Sequence, residues 1–61
     1  MNNEFRFKIK MLWEHRKKII NIKGIYAPNR KWAERKLKMH IDTFYGCDYE
    51  IKQITEIMQG V

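Results

Sequence analysis

The residues best suited to chemistry lie between positions 30 and 38, where five cationic side chains surround one tryptophan. The segment PNRKWAERKLKMH begins with helix-start residues but then places Arg30 and Lys31 in the first turn, where the helix dipole favours acidic side chains. A local rule broken without visible gain is typical of a functional site, and the free N–H groups of a helix start attract anions. We therefore predict binding of phosphate or carboxylate groups, with a solvated basic face as the alternative. The predicted partner-binding residues of this segment are Arg30, Lys31, Trp32, Arg35, Lys36, Lys38 and Met39.

Trp32 is the second feature that indicates binding. Tryptophan and arginine are common interface anchors, and an indole beside cations can also stack on a base of single-stranded nucleic acid. The alternative is that Trp32 folds over the sheet edge and extends the core. Trp13 is predicted in the core, and Tyr26 is a weaker exposed candidate.

Catalytic chemistry is not indicated. His15 and His40 lack neighbours at metal-ligand spacing, and His40 is predicted at the border of the core. Cys47 could be imagined as a nucleophile with His40, but a short turn after a helix offers no pocket, so we interpret it as a spare thiol. The acids form no pair for general acid–base work, and the glycines are isolated. The sequence predicts no enzyme, no cofactor and no metal.

Positive charge is concentrated in the first part of the chain. Residues 1–38 hold 12 of the 13 basic residues and three acids, which sum to +9, whereas residues 39–61 sum to −3. Such asymmetry predicts a basic region that attracts nucleic acid or an acidic protein surface. A charge that serves solubility is the alternative.

Two strands and a turn are predicted in the first 27 residues. EFRFKIKMLWE, residues 4–14, alternates with a period of two, HRKK follows as a turn, and IINIKGIYA, residues 19–27, is rich in β-branched residues. Ile20 and Ile22 lie on the same side of the sheet as Ile25 and Ala27 if Gly24 lies in a bulge. The inward residues of the first strand are Phe5, Phe7, Ile9, Met11 and Trp13, and the outward cations proposed for binding are Arg6, Lys8 and Lys10.

A helix is predicted next, with Asn29 as its N-cap after Pro28, an end near Tyr45 and Gly46 as its left-handed terminator. Its core stripe is predicted to be Ala33, Leu37, Ile41 and Phe44. Residues 48–59 favour a strand. The spacing of Ile51, Ile54 and Met58, with Asp48 as a cap and Gly60 as a stop, leaves a short helix as the alternative.

These elements predict one α+β domain over residues 1–61, a ββαβ unit with a three-stranded antiparallel sheet, the first strand central and the helix on one face. The other face is uncovered and carries Arg6, Lys8, Lys10, Lys23 and Lys52. So small a chain is marginal in stability, which keeps a homodimer as a hypothesis. One cysteine fits a reducing cytosol, and no apolar run approaches 18 residues, so we expect a cytoplasmic protein without a membrane span.

The segments IYAPNRKWAERKL and YGCDYEIKQI resemble in layout the small early proteins of tailed phages, and the resemblance covers about residues 19–52. In the RNA-polymerase inhibitor of the T-odd coliphages, too, an apolar–x–Ala triplet leads into a helix with a later alanine, then a glycine and a closing strand. The matching residues here are Ile25, Tyr26, Ala27 and Ala33. The two differ in net charge, because that inhibitor is acidic whereas this chain is basic. The resemblance implies a short protein that binds host machinery and alters it, and it assigns no functional residue.

The predicted function is a small binding protein, phage-encoded by that resemblance. It would dock its basic helix and open sheet face on an acidic host macromolecule, such as a polymerase, nuclease or toxin, and inhibit or modulate it. Direct nucleic-acid binding through the same cations is the first alternative. A structural subunit that buries the second sheet face in a dimer is the other.

Overall fold

The computed structural model describes residues 2–58 and contains three strands and one helix. They are β1 (Asn3–Leu12), β2 (Lys17–Ala27), α1 (Arg30–Phe44) and β3 (Asp48–Ile57). The strand order is β2-β1-β3, and β1 is antiparallel to both neighbours. The prediction of an α+β ββαβ fold with a central first strand is confirmed. Among the described residues, no helix is long and apolar enough to cross a membrane.

The core lies between the sheet and the helix. The alternation of β1 buries Phe5, Phe7, Ile9 and Met11, each at most 2% exposed, while α1 contributes Ala33, Leu37 and Ile41 at 0%. A strand sends successive side chains to opposite faces. The even-numbered residues of β1 therefore face away from the helix, on a sheet face that no described element covers.

The turn between β1 and β2 begins earlier than predicted. The Trp13 N–H donates to the Arg16 carbonyl at 2.9 Å, which closes the turn over residues 13–16 and leaves Lys17 and Lys18 to β2. Trp13 is therefore outside the strand, so its prediction as an inward residue of that strand is wrong, although its side chain still packs against the core. It is half-buried against the core, with the Arg16 guanidinium carbon 4.7 Å from its ring centre.

Each outer strand contains a bulge. In β2, Ile25 pairs with Phe5 and Ile22 with Phe7, so two residues oppose one at Gly24, whose φ is +75°. A left-handed conformation costs glycine little, and the predicted bulge at this residue is confirmed.

The bulge in β3 was not predicted. Gln53 pairs with Lys8 and Ile51 with Ile9, so Lys52 is the additional residue. Ile51 and Ile54 consequently pack on the same core although three positions separate them. This spacing suggested a helix, but residues 48–57 form a strand, as favoured above. Gly60, the stop of that alternative helix, lies outside the described residues.

Both ends of α1 are capped as predicted. The Asn29 side-chain oxygen accepts from the Trp32 N–H at 3.0 Å. At the other end, the N–H groups of Tyr45 and Gly46 both donate to the Ile41 carbonyl at 2.8 Å, with Gly46 at a φ of +63°.

Phe44 does not belong to the core, in contrast to its predicted place on the core stripe. Its side chain is 70% exposed and lies against the half-buried ring of His40, with the ring centres 4.8 Å apart. Helical periodicity assigns a direction to a side chain, but burial also requires a facing layer. The buried stripe of α1 ends at Ile41, so the last turn has no such layer.

Candidate functional site

The predicted binding residues divide between two opposite layers of the molecule. We call the solvent side of α1 the outer helix face and the uncovered side of the sheet the open sheet face. The core lies between them, so a single flat partner surface cannot contact both faces at once. The outer helix face comprises Lys31, Trp32, Arg35, Lys36, Lys38 and Met39. The cations of the open sheet face are Arg6, Lys8, Lys10, Lys17, Lys23 and Lys52.

Trp32 and Met39 form an apolar ridge on the outer helix face. Their side chains are 48% and 69% exposed, and neither belongs to the buried core cluster. Residues seven apart in a helix lie on one side, two turns from each other. Arg35 lies between them in sequence, with its guanidinium carbon 5.0 Å from the Trp32 ring centre, within the range of a cation–π interaction.

The cations around this ridge differ in their partners. Arg30 donates to Glu34, one helical turn later, at 3.0 Å, which offsets part of the positive charge in the first turn. The Lys36 ammonium donates to the Tyr26 carbonyl and ties the helix to the end of β2. Among residues 2–58, Lys31 and Lys38 form no ion pair. Their charge is therefore available to a partner.

A depression lies between the helix and the start of β3, where Tyr49 lies beside Glu34 and Lys38. Burial raises the pKa of the Tyr49 phenol, and the negative charges of Asp42 and Glu34 raise it further. The phenol therefore stays neutral and can act as a hydrogen-bond donor at the border of the outer helix face.

The open sheet face has a different chemistry. Among residues 2–58, its ion pairs join Arg6 to Glu4 at 3.2 Å and Lys52 to Glu50 at 3.1 Å. The Arg6 hydrogen bond, aided by the Gly24 N–H, lowers the pKa of Glu4. The Lys52 hydrogen bond and charge lower that of Glu50.

Several residues of the open sheet face were missed at the level of sequence. Lys17 had been assigned to the turn, but it pairs with Leu12 and lies near enough to Glu50 to lower its pKa. The neutral polar residues that line the centre of this face are Asn21, Gln53 and Thr55. Period-two parity could have found Asn21, whereas the bulge in β3 hides the other two.

The residues weighed for catalysis are not assembled into a site. His40 contacts the rings of Phe44 and Tyr45, and exposed His15 has its Nε2 3.8 Å from Glu14. Cys47 is a free, half-buried thiol beside the core. In the described part of the chain, no group of three or more histidine, cysteine or acidic residues could hold a metal ion.

In comparisons with known proteins, the chain matches no protein-family model, no curated protein and no solved structure.

Proposed function

We propose that this protein is a non-enzymatic binding protein that docks its outer helix face on an acidic patch of another protein. The observation that carries the proposal is the exposure of Trp32 and Met39 within a group of cations. The core is already complete beneath the helix, so folding does not require a large aromatic side chain at this position. An exposed tryptophan stacked with an arginine is the kind of residue pair that dominates binding energy at interfaces.

The two components of this face have separate roles. Trp32 and Met39 supply apolar area that loses water on contact, which stabilises the complex once formed. Lys31 and Lys38 attract an acidic patch from a distance and accelerate association, an effect that salt weakens. By the resemblance to small early phage proteins, the partner is a host polymerase, nuclease or toxin, and the consequence of docking is inhibition.

Direct nucleic-acid binding by the same helix cations is less well supported. Phosphate and sugar oxygens bind hydrogen-bond donors, whereas the space between the helix cations is occupied by the apolar side chains of Trp32 and the flexible Met39. Methionine is typical of surfaces that adapt to a protein partner.

Affinity capture from a host lysate treated with nuclease tests the proposal. We expect the immobilised protein to retain a specific partner that the Trp32→Ala variant loses. The Ile19→Ala variant is the matched control, because Ile19 is 53% exposed but lies on the open sheet face opposite Lys10.

Purified partner and protein then give the affinity in a salt series. We expect Trp32→Ala to weaken binding about thirtyfold, as for an interface anchor worth roughly 2 kcal/mol, and Lys31→Gln with Lys38→Gln to act mainly on the association rate. Equal retention by the two alanine variants, or loss of the partner on nuclease treatment, would contradict the proposal. Unfolding of Trp32→Ala would show that its ring supports the core.

A further inference from the structure

The open sheet face carries an excess of positive charge that its own carboxylates do not neutralise. Six cations face three acids there, Glu4, Asp48 and Glu50, which leaves a net charge of +3. Two of those acids are already held by Arg6 and Lys52. Among residues 2–58, the cations of this face that form no ion pair are Lys8, Lys10, Lys17 and Lys23.

A concavity at the centre of this face collects hydrogen-bond donors. Its volume is about 170 Å³, far above what one water molecule needs. Phe7 also borders it, but that side chain is 1% exposed and faces the core. Arginine, lysine, threonine, asparagine and glutamine are the side chains that commonly bind phosphate and sugar oxygens. The remaining lining residues all belong to that set: Arg6, Lys8, Asn21, Lys23, Gln53 and Thr55.

We propose that the open sheet face binds the sugar–phosphate backbone of a single-stranded nucleic acid, at a site separate from the outer helix face. Arg6, Lys8 and Lys10 are spaced two residues apart on the central strand, so they form a row with steps of about 6.6 Å. An extended basic track of this kind follows a flexible single strand. Tyr26, 47% exposed beside Glu4 at the end of the row, offers one ring on which a base can stack.

Duplex DNA fits this face less well. Proteins contact the bases of a duplex with an element that enters the major groove, such as a helix or a two-stranded ribbon. The one helix in the described part of the chain lies on the opposite layer, and the cations here project from the middle of a sheet. A single strand can instead spread its phosphates over the sheet surface.

A second copy of the chain is also a poor occupant. A two-fold symmetric dimer would bring the same six cations of each copy against one another across the contact. Like charges in such an interface cost several kcal/mol, whereas a polyanion releases its counterions on binding. Charge therefore favours the nucleic acid over self-association.

Fluorescence anisotropy of a labelled single-stranded oligo(dT) tests the inference with two charge-matched double variants. Lys8→Gln with Lys10→Gln removes two cations from the open sheet face, and Lys31→Gln with Lys38→Gln removes two from the outer helix face. We expect the first pair to weaken binding about tenfold and to reduce the log–log salt slope by about 1.4, which corresponds to two phosphate contacts. We expect the second pair to change affinity less than about twofold. Lys17→Gln with Lys23→Gln replaces the first pair if that variant does not fold.

Four results would overturn the inference. Equal weakening by the two pairs would mean a non-specific effect of net charge. Tighter binding to a duplex of the same sequence, or binding to phosphatidylserine vesicles without binding to the oligonucleotide, would assign the face to another partner. A dimer seen by sedimentation and dispersed by Lys8→Gln with Lys10→Gln would mean that a second copy covers it. None of these results bears on the lysate partner lost by Trp32→Ala, so the two proposals can fail separately.

Discussion

The outer helix face and the open sheet face share a positive charge but differ in what lies between the cations. On the helix, Trp32 and Met39 occupy that space, so a partner must bring an apolar surface that replaces water. On the sheet, Asn21, Gln53 and Thr55 occupy it, so a partner must bring hydrogen-bond acceptors. Net charge therefore predicts attraction to anions in general, while the side chains between the charges distinguish a protein partner from a phosphate backbone.

The two faces also arise from different backbone periods. Strict alternation in β1 forces every second residue outward, which produces a continuous row of cations opposite the core. The 3.6-residue period of α1 buries one stripe and leaves the opposite side free, so Trp32 can be exposed beside the buried Ala33. The same core, between the helix and the sheet, supports both faces.

The largest effect is expected from Leu37→Ala, which tests whether the two faces are separable. Leu37 is 0% exposed and joins the helix to the sheet, so truncation should cost about 2–5 kcal/mol in a domain with little to spare. We expect unfolding of the whole chain and loss of both faces, measured by urea denaturation with circular dichroism.

The matched control for that variant is its exposed neighbour Lys38→Ala, which should change the free energy of unfolding by less than about 0.5 kcal/mol. A Leu37→Ala protein that loses helical signal yet still binds oligo(dT) would refute the shared core. The sheet would then be stable without α1.

A smaller effect is expected from Gly24→Ala, compared with Gly46→Ala. Both glycines have positive φ, and a Cβ at either would meet nothing within 4 Å, so each substitution should cost only its backbone strain, about 1–2 kcal/mol. The Gly24 N–H also holds Glu4 at 3.1 Å, within the bulge that places Lys23. We expect Gly24→Ala alone to weaken oligo(dT) binding, measured with thermal melts of both variants. Equal binding by the two would mean that the bulge does not shape the open sheet face.

Much of the fold could be predicted because local sequence patterns favour the same strands, helix and caps that the fold contains. The alternation of β1, the cap at Asn29 and the terminator at Gly46 are local patterns with local causes. The bulge at Gly24 was predictable because glycine marks it, whereas the bulge at Lys52 carries no such residue. That unmarked bulge gave β3 a helix-like spacing and hid two residues of the open sheet face.

The candidate site was predictable in its residues but not in its grouping. The prediction grouped the cations by charge alone, whereas the fold places Lys8 on the open sheet face and Lys31 on the outer helix face, in opposite layers. The exposure of Trp32 and of Phe44 depends on where the facing layer ends, which periodicity does not contain.

The smallest effect is expected from a change in pH, which protonates acids of the open sheet face and leaves the core unchanged. The Arg6 hydrogen bond lowers the pKa of Glu4, so the pair stabilises the fold at pH values above the unfolded-state pKa. This contribution is lost as the pH falls through the folded-state pKa. Protonation of Glu4 and Glu50 then removes two negative charges from the open sheet face, which should strengthen oligo(dT) binding in acid.

An NMR titration of the Glu4 carboxyl carbon measures this directly. We expect Arg6→Gln to raise the Glu4 midpoint because the main cause of its low pKa is gone, while the Gly24 N–H retains part of the effect. Arg30→Gln, which removes the corresponding ion pair of the helix, is the control and should leave the Glu4 midpoint unchanged. A Glu4 midpoint that responds equally to both variants would mean that the carboxylate senses overall charge, and the electrostatic independence of the two faces would be wrong.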